Sequence, residues 1–213
     1  ISVVDPLMLN KGWIFNKNNK GEYSSLYNLE TLADFYVLSD PSYTGRVTVP
    51  VLWDTHSKKI VNNESSEIIR IFNSEFDHLT GNNNDFYPHE LQDDIDQINA
   101  RVYDHVNNGV YLCGFATSQR AYNTAYYHLF ETLDFLEKRL DKSLYLVGNR
   151  LTEADIRLFV TLIRFDPVYY GHFKCNKKRI KDYKNLTRFV DNLLSIADIR
   201  TTIDTDQSKL HYY

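Results

Sequence analysis

The chain has 213 residues, with 24 Lys and Arg against 28 Asp and Glu, for a net charge of −4. That balance excludes the basic surface on which a nucleic-acid binder or an anionic-membrane binder depends. A composition 43% hydrophobic and 24% charged suits a packed core and excludes extended disorder. No apolar run reaches the length of a membrane span, and the opening ISVVDPLML lacks the basic start of a signal peptide.

In chain order, Ile1 to Val4 is apolar and β-branched, which predicts a buried strand. Asn16 to Tyr23 is polar and Gly-bearing, hence loop. Leu29, Leu32, Ala33, Tyr36 and Val37 recur at helical spacing, with Asn28 as a candidate N-cap. Val47 to Asp54 reads as a strand interrupted by Pro50, and Lys59 to Val61 as a second short strand. A helix then runs from about Ser65 to Phe76, with Ile68, Ile69, Phe72 and Phe76 on one face. Asp77 to Tyr87 has no periodicity and is the predicted linker. Beyond it everything is predicted helical: Pro88 to Val106, Ser118 to Leu140, Thr152 to Phe165, Pro167 to Phe173 and Asn185 to Leu194. In the third of these, Ile156, Phe159, Val160 and Ile163 are expected to point inward; Ile203 to Tyr213 is expected to be irregular. An α/β part over 1–80 and an all-helical part over 88–213 follow. The strand–Pro–strand order resembles the second half of a thioredoxin-like domain.

Several short patterns carry chemistry. A cis Val49-Pro50 bond would turn the Val49 backbone toward an extended ligand for strand-like pairing; an edge-strand proline is the alternative. Glu64-Ser65 lies where a turn enters a helix. There Glu64 can accept from an α-ammonium while Ser65 and the helix N–H groups donate to an α-carboxylate; ordinary N-capping is the alternative. Thr152-Glu153-Ala154-Asp155 is a capping-box pattern with a structural role. Only two cysteines occur, Cys113 and Cys175, without C-x-x-C spacing. That argues against a disulfide framework or a zinc site and fits a reducing, cytoplasmic setting. Both read as buried, inert thiols. No histidine spacing suggests a metal, and no phosphate-binding glycine loop is present.

Longer blocks carry a resemblance. Lys11-Gly12-Trp13-Ile14-Phe15, the run Gly45-Arg46-Val47-Thr48-Val49-Pro50-Val51-Leu52-Trp53-Asp54, Asn62-Asn63-Glu64-Ser65-Ser66 and Asn108-Gly109-Val110-Tyr111 stand in order along the chain. Leu151 to Arg157, Arg164 to Tyr169, His172-Phe173-Lys174-Cys175-Asn176 and Lys209 to Tyr213 continue the series. The chain resembles the glutathionyl-hydroquinone reductases, the Xi class of glutathione transferases. The resemblance implies the glutathione transferase fold (α/β followed by all-α), with a thioredoxin-like domain incomplete at its start. It also implies glutathione as substrate, aromatic quinol conjugates as the second substrate, no metal, and a homodimer.

By that resemblance Trp13, Arg46, Val49, Pro50, Glu64 and Ser65 hold glutathione. Tyr111, Tyr169 and Tyr212 face the aromatic ring. The implied nucleophile is a cysteine in a C-P-W type motif, expected before Ile1. An omega-like thioltransferase or dehydroascorbate reductase, and a glutathione-binding module without chemistry, stand as rival readings.

Overall fold

A computed structural model of the chain describes residues 1–15, 27 and 29–213. The expected loop over Asn16 to Tyr23 and the Asn28 cap lie outside the described residues. The chain divides into two compact units, Ile1–Asn83 and Asn84–Tyr213.

Residues 1–4 of the first unit are irregular, and Ile1 and Val3 are exposed, so the expected buried strand does not form. A β-branched run becomes a strand only where a neighbouring backbone completes its ladder. The first such bond runs from Asp5 N–H to the Ile14 carbonyl at 2.8 Å. Helix α1 spans Leu32–Ser39. Its cap is Thr31, which exchanges hydrogen bonds with Asp34 in a capping box, so Leu29 precedes the helix. The face it buries is Leu32, Phe35 and Tyr36, while Val37 points outward, contrary to expectation. Those three side chains and Phe15 form the core of the unit, with Trp53 standing edge-on to Phe35 at 5.1 Å.

Strands β1 (Leu52–Asp54) and β2 (Lys59–Asn62) form an antiparallel hairpin, with an irregularity between Leu52 and Trp53. The expected strand from Val47 shrinks to its last three residues, since Pro50 has no N–H to give to a ladder. Helix α2 (Ser65–Ser74) buries Ile68, but Phe72 and Phe76 are exposed and pack on each other at 5.6 Å. Within the expected linker, Asp77–Thr80 forms a single helical turn, α3, ended by Gly81 at φ +67°.

The second unit is helical throughout its described elements. Helix α4 (Gln92–Val102) runs into a π-helical turn over Tyr103–Asn107, followed by α5 (Gly109–Gly114) and the long α6 (Gln119–Arg139). Helix α7 (Glu153–Arg164) ends in a second π turn, Phe165–Tyr169. Helices α8 (Lys184–Leu194), α9 (Ala197–Thr201) and α10 (Thr205–Tyr212) complete the unit. Its core is continuous, and Leu129, Leu133 and Leu136 of α6, with Leu140 just beyond its end, are fully buried in it.

Two expectations change here. Helix α7 buries Ala154, Leu158, Phe159 and Leu162, while Val160 is exposed and Ile156 and Ile163 are only partly covered. The apolar stripe therefore sits one position away from the one the sequence suggested. The tail expected to be irregular, Ile203 to Tyr213, folds into α10, capped by Asp204, which accepts from Gln207 N–H at 2.8 Å. A helix whose only strong anchor is near its end shows little amphipathic pattern.

Candidate functional site

Two constellations gather the candidate residues, one in each unit. In the first unit the Val49-Pro50 peptide is cis, and Val49 is 42% exposed. Among the described residues its backbone makes no hydrogen bond, which leaves an N–H and a carbonyl for an extended partner. Glu64 is the N-cap of α2; its N–H donates to Asn62 Oδ1 at 2.7 Å, and its carboxylate, like the Ser65 hydroxyl, is exposed. Both side chains stand beside the free N–H groups of the first turn of α2.

What holds these two pieces together was not anticipated from the sequence. The Tyr36 hydroxyl, on a side chain 3% exposed, donates to the Thr48 carbonyl at 2.9 Å. Asn63 Nδ2 donates to the same hydroxyl at 3.1 Å and to Thr48 Oγ1 at 3.2 Å. Thr48 immediately precedes Val49, and Asn63 immediately precedes Glu64. This polar knot therefore ties the cis-proline turn to the start of α2. The only trace of it in the sequence is an Asn in a turn, a placement with many ordinary explanations.

Arg46 is exposed. Its carbonyl accepts from the Tyr43 hydroxyl at 2.6 Å, and Tyr43 packs against Tyr36 at 4.8 Å. A Cβ on Gly45 would lie 2.5 Å from that hydroxyl, so the glycine gives the Tyr43 ring its place. Trp13 is partly covered and borders the Phe15–Tyr36 core, and its carbonyl accepts from Leu32 N–H at 2.9 Å.

In the second unit the three tyrosines meet. The hydroxyls of Tyr111 (α5) and Tyr212 (α10) are 2.5 Å apart, and those of Tyr169 and Tyr212 are 3.1 Å apart. Burial, with its hydrogen bond to Tyr111, pushes the Tyr212 phenol up to about 12, while its hydrogen bond to Tyr169 works in the other direction. Burial, the neighbouring Tyr111 phenol and the hydrogen bond with Tyr212 raise Tyr169 as well. Tyr169 is 3% exposed and Tyr111 is 37% exposed, so the chain of hydroxyls runs from the core outward. Three hydroxyls carry three protons and two are used internally. The third is left for a ligand oxygen, and Tyr111, the most exposed of the three, is the one that a ligand reaches.

The cysteines are free and fully buried. The fold brings together what the sequence separates: the interaction of the two thiols raises the Cys175 thiol and lowers that of Cys113, and the Cys175 sulfur also faces the carbonyls of Phe173 and Val110 at 3.8 and 4.0 Å. Neither offers the exposed, cation-flanked thiolate of a nucleophile. Thr152 and Asp155 form the expected capping box at the start of α7. Among the described residues no group of three His, Cys, Asp or Glu side chains is placed to hold a metal, and no helix is long and apolar enough to cross a membrane.

Comparison with known proteins places these features in a family. Residues 119–192 match the Glutathione S-transferase, C-terminal domain family. Glutathionyl-hydroquinone reductase PcpF of Sphingobium chlorophenolicum is 53% identical over 213 residues, covering 100% of this chain and 68% of that protein. Glutathionyl-hydroquinone reductase YqjG of Escherichia coli is 52% identical over 100% of this chain and 65% of its own length. The chain thus spans about two thirds of these relatives. The glutathione-bound structure of YqjG superposes with a TM-score of 0.96, at 52% identity, over 99% of this chain and 69% of that one. The glutathione transferase Xi from Phanerochaete chrysosporium matches with a TM-score of 0.96 and 48% identity over 100% of this chain and 74% of that one. With the helical unit, the cis-proline turn and the tyrosine chain in place, this sequence belongs to the glutathionyl-hydroquinone reductases, the Xi class of the glutathione transferases.

Proposed function

We propose that the protein reduces glutathionyl-hydroquinones to hydroquinones at the expense of glutathione. The observation that carries this reading is the tyrosine chain with one outward hydroxyl, in a sequence 53% identical throughout to a protein named for that reaction. Trp13, Arg46, Val49, Pro50, Glu64 and Ser65 bind glutathione. Val49 pairs with its backbone, and the α2 start, Glu64 and Ser65 receive its zwitterionic γ-glutamyl end. Tyr111, Tyr169 and Tyr212 receive the quinol.

The reaction has two thiol steps. A cysteine thiolate attacks the glutathione sulfur, the sulfur–ring carbon bond breaks, and the ring carbon takes up a proton to give the hydroquinone. The enzyme is left as a mixed disulfide with glutathione. The thiolate of a second glutathione attacks that disulfide and releases oxidised glutathione and the enzyme thiolate. The ring carbon is reduced by two electrons and the two glutathione sulfurs are oxidised. Donation from Tyr111 stabilises negative charge that builds on the quinol oxygen as the bond breaks. Cys113 and Cys175 are buried, so neither takes this role, which falls to the cysteine of the C-P-W type motif that the family resemblance implies.

The test is the full-length protein with glutathione and a glutathionyl-hydroquinone. Hydroquinone and oxidised glutathione should form in equal amounts. Tyr111→Phe should lower kcat by roughly 10² or more, the order lost with one such donor. Turnover of dehydroascorbate or hydroxyethyl disulfide without any of the conjugate would instead assign the chain an omega-like activity.

The assembly is proposed to be a homodimer and its place the cytoplasm. Exposed Tyr103, Leu112, Phe115 and Tyr127 give the second unit an apolar surface suited to a partner, and two free thiols suit a reducing compartment. Sedimentation equilibrium should return twice the mass of the full-length chain, and a monomer at micromolar concentration would refute the dimer.

A further inference from the structure

One aromatic ring touches every member of the tyrosine chain. Phe173 is 2% exposed, and its ring centroid lies 5.3 Å from Tyr111, 5.4 Å from Tyr169 and 5.7 Å from Tyr212. It stacks on Tyr169 at 24° and meets Tyr111 and Tyr212 edge-on, at 60° and 89°. Each phenol is therefore backed by the same wall, and edge and stacked contacts of this kind fix ring orientation as well as position.

The wall has its place because a neighbour has no side chain. A Cβ on Gly114 would lie 2.4 Å from both Cγ and Cδ1 of Phe173 and 3.0 Å from its Cβ. Gly114 ends α5, three residues after Tyr111, and its φ is not in the left-handed region. The glycine is thus required for space and not for backbone conformation.

The segment behind the ring is held from several sides. Lys174 takes φ +60°, its carbonyl accepts from the Tyr122 hydroxyl at 2.7 Å, and Cys175 N–H donates to the Tyr169 carbonyl at 3.1 Å. The fully buried Cys175 side chain pins the next position. The block His172-Phe173-Lys174-Cys175 therefore has a job that its sequence alone does not disclose.

We propose that Gly114 and Phe173 are positioning residues for the phenol chain: Phe173 holds the three hydroxyls in line, and Gly114 leaves the space that its ring occupies. This inference rests on the assignment of the tyrosines to the quinol.

The test compares two reactions of the full-length enzyme, one that uses the phenols and one that does not. Gly114→Ala should lower kcat on a glutathionyl-hydroquinone about tenfold, since misplacing a catalytic group by ~1 Å costs up to about 10². KM for the conjugate should stay within about twofold, and glutathione-dependent reduction of hydroxyethyl disulfide should persist. Phe173→Leu, which keeps much of the volume without the flat ring, should do the same and carries the test if Gly114→Ala does not fold. The double variant should lose less than the product of the two single losses, because Leu is the shorter neighbour for the new methyl. Tyr111→Phe is the control. If Tyr111→Phe slows the enzyme but both positioning variants keep kcat within about twofold, Phe173 merely fills space and the inference fails. Parallel loss of the disulfide reaction would equally overturn it, as a general structural role. If Tyr111→Phe is itself without effect, the tyrosine assignment has failed, and this inference with it.

Discussion

At the scale of single residues, the second-unit chemistry is a matter of counting protons. Tyr212 keeps its proton up to a pH of about 12, and Tyr169 is also shifted upward, so both remain donors across any working range. A raised phenol pKa means the neutral form dominates below it, and donation is lost only as pH rises through the shifted value. The basic limb of the rate profile should therefore not come from Tyr212 below about pH 11. Absorbance titration of the phenolate band should leave part of the tyrosine signal untitrated at pH 11, and complete titration below that pH would contradict the chain. In the first unit, Asn63→Ala removes two hydrogen bonds, to Tyr36 and Thr48. A net value of about 1 kcal/mol for a typical bond, with two bonds lost, corresponds to glutathione binding weaker by roughly fivefold to thirtyfold in calorimetry. An unchanged Kd would mean that the cis-proline turn and the α2 start do not need this tie. Cys113 and Cys175, buried and paired, should resist iodoacetamide in the native protein and react once it unfolds.

At the scale of elements, the start of α7 makes the sharpest forecast. Asp155 accepts from Leu146 N–H and Thr152 N–H, both at 2.8 Å, and from the Thr152 hydroxyl at 3.0 Å. Asp155→Ala should destabilise the unit by about 3 kcal/mol, from the lost cap and the buried donors left without a partner. Burial raises the Asp155 carboxyl to about 6 against these hydrogen bonds. Its folded pKa exceeds the unfolded one, so the folded state binds the extra proton between about pH 4 and 6. Stability from this group therefore falls as pH rises through that window. Denaturant midpoints for Asp155→Asn should lack this slope, and an identical slope would assign it to other groups. This cap was legible in the sequence because Thr152 and Asp155 are three positions apart and bond to their own helix. The same locality made β2 and α6 legible. What escaped was non-local. The strand expected at Ile1 has an apolar pattern but no ladder among the described residues, and α10 has a ladder but no apolar pattern. The Tyr36–Thr48–Asn63 knot and the Cys113–Cys175 pair join positions that only folding brings together. For the tyrosines, helical spacing alone did not separate pocket from core, and the resemblance supplied their grouping.

Across the whole molecule, the two units differ in how they are held. In the second, buried side chains from α4 to α8 form one continuous core. The described core of the first rests on Phe15, Leu32, Phe35 and Tyr36, beside a two-stranded hairpin. A two-stranded hairpin is marginal by itself, and backbone amides open locally where few apolar contacts oppose opening. Hydrogen exchange read by mass spectrometry should therefore find α6, α7 and α8 exchanging far more slowly than α1, β1 and β2. Glutathione binds the folded form, so at a hundred times its Kd it should stabilise by about 2.7 kcal/mol whatever opens by breaking its site. The added protection should appear at peptides covering 47–52 and 62–68, where the cis-proline turn and the α2 start lie. It should be absent from the centre of α6, whose exchange is governed by its own core. Protection spread evenly over both units would mean that they open together. Protection confined to the second unit would move the glutathione site away from Val49 and Glu64.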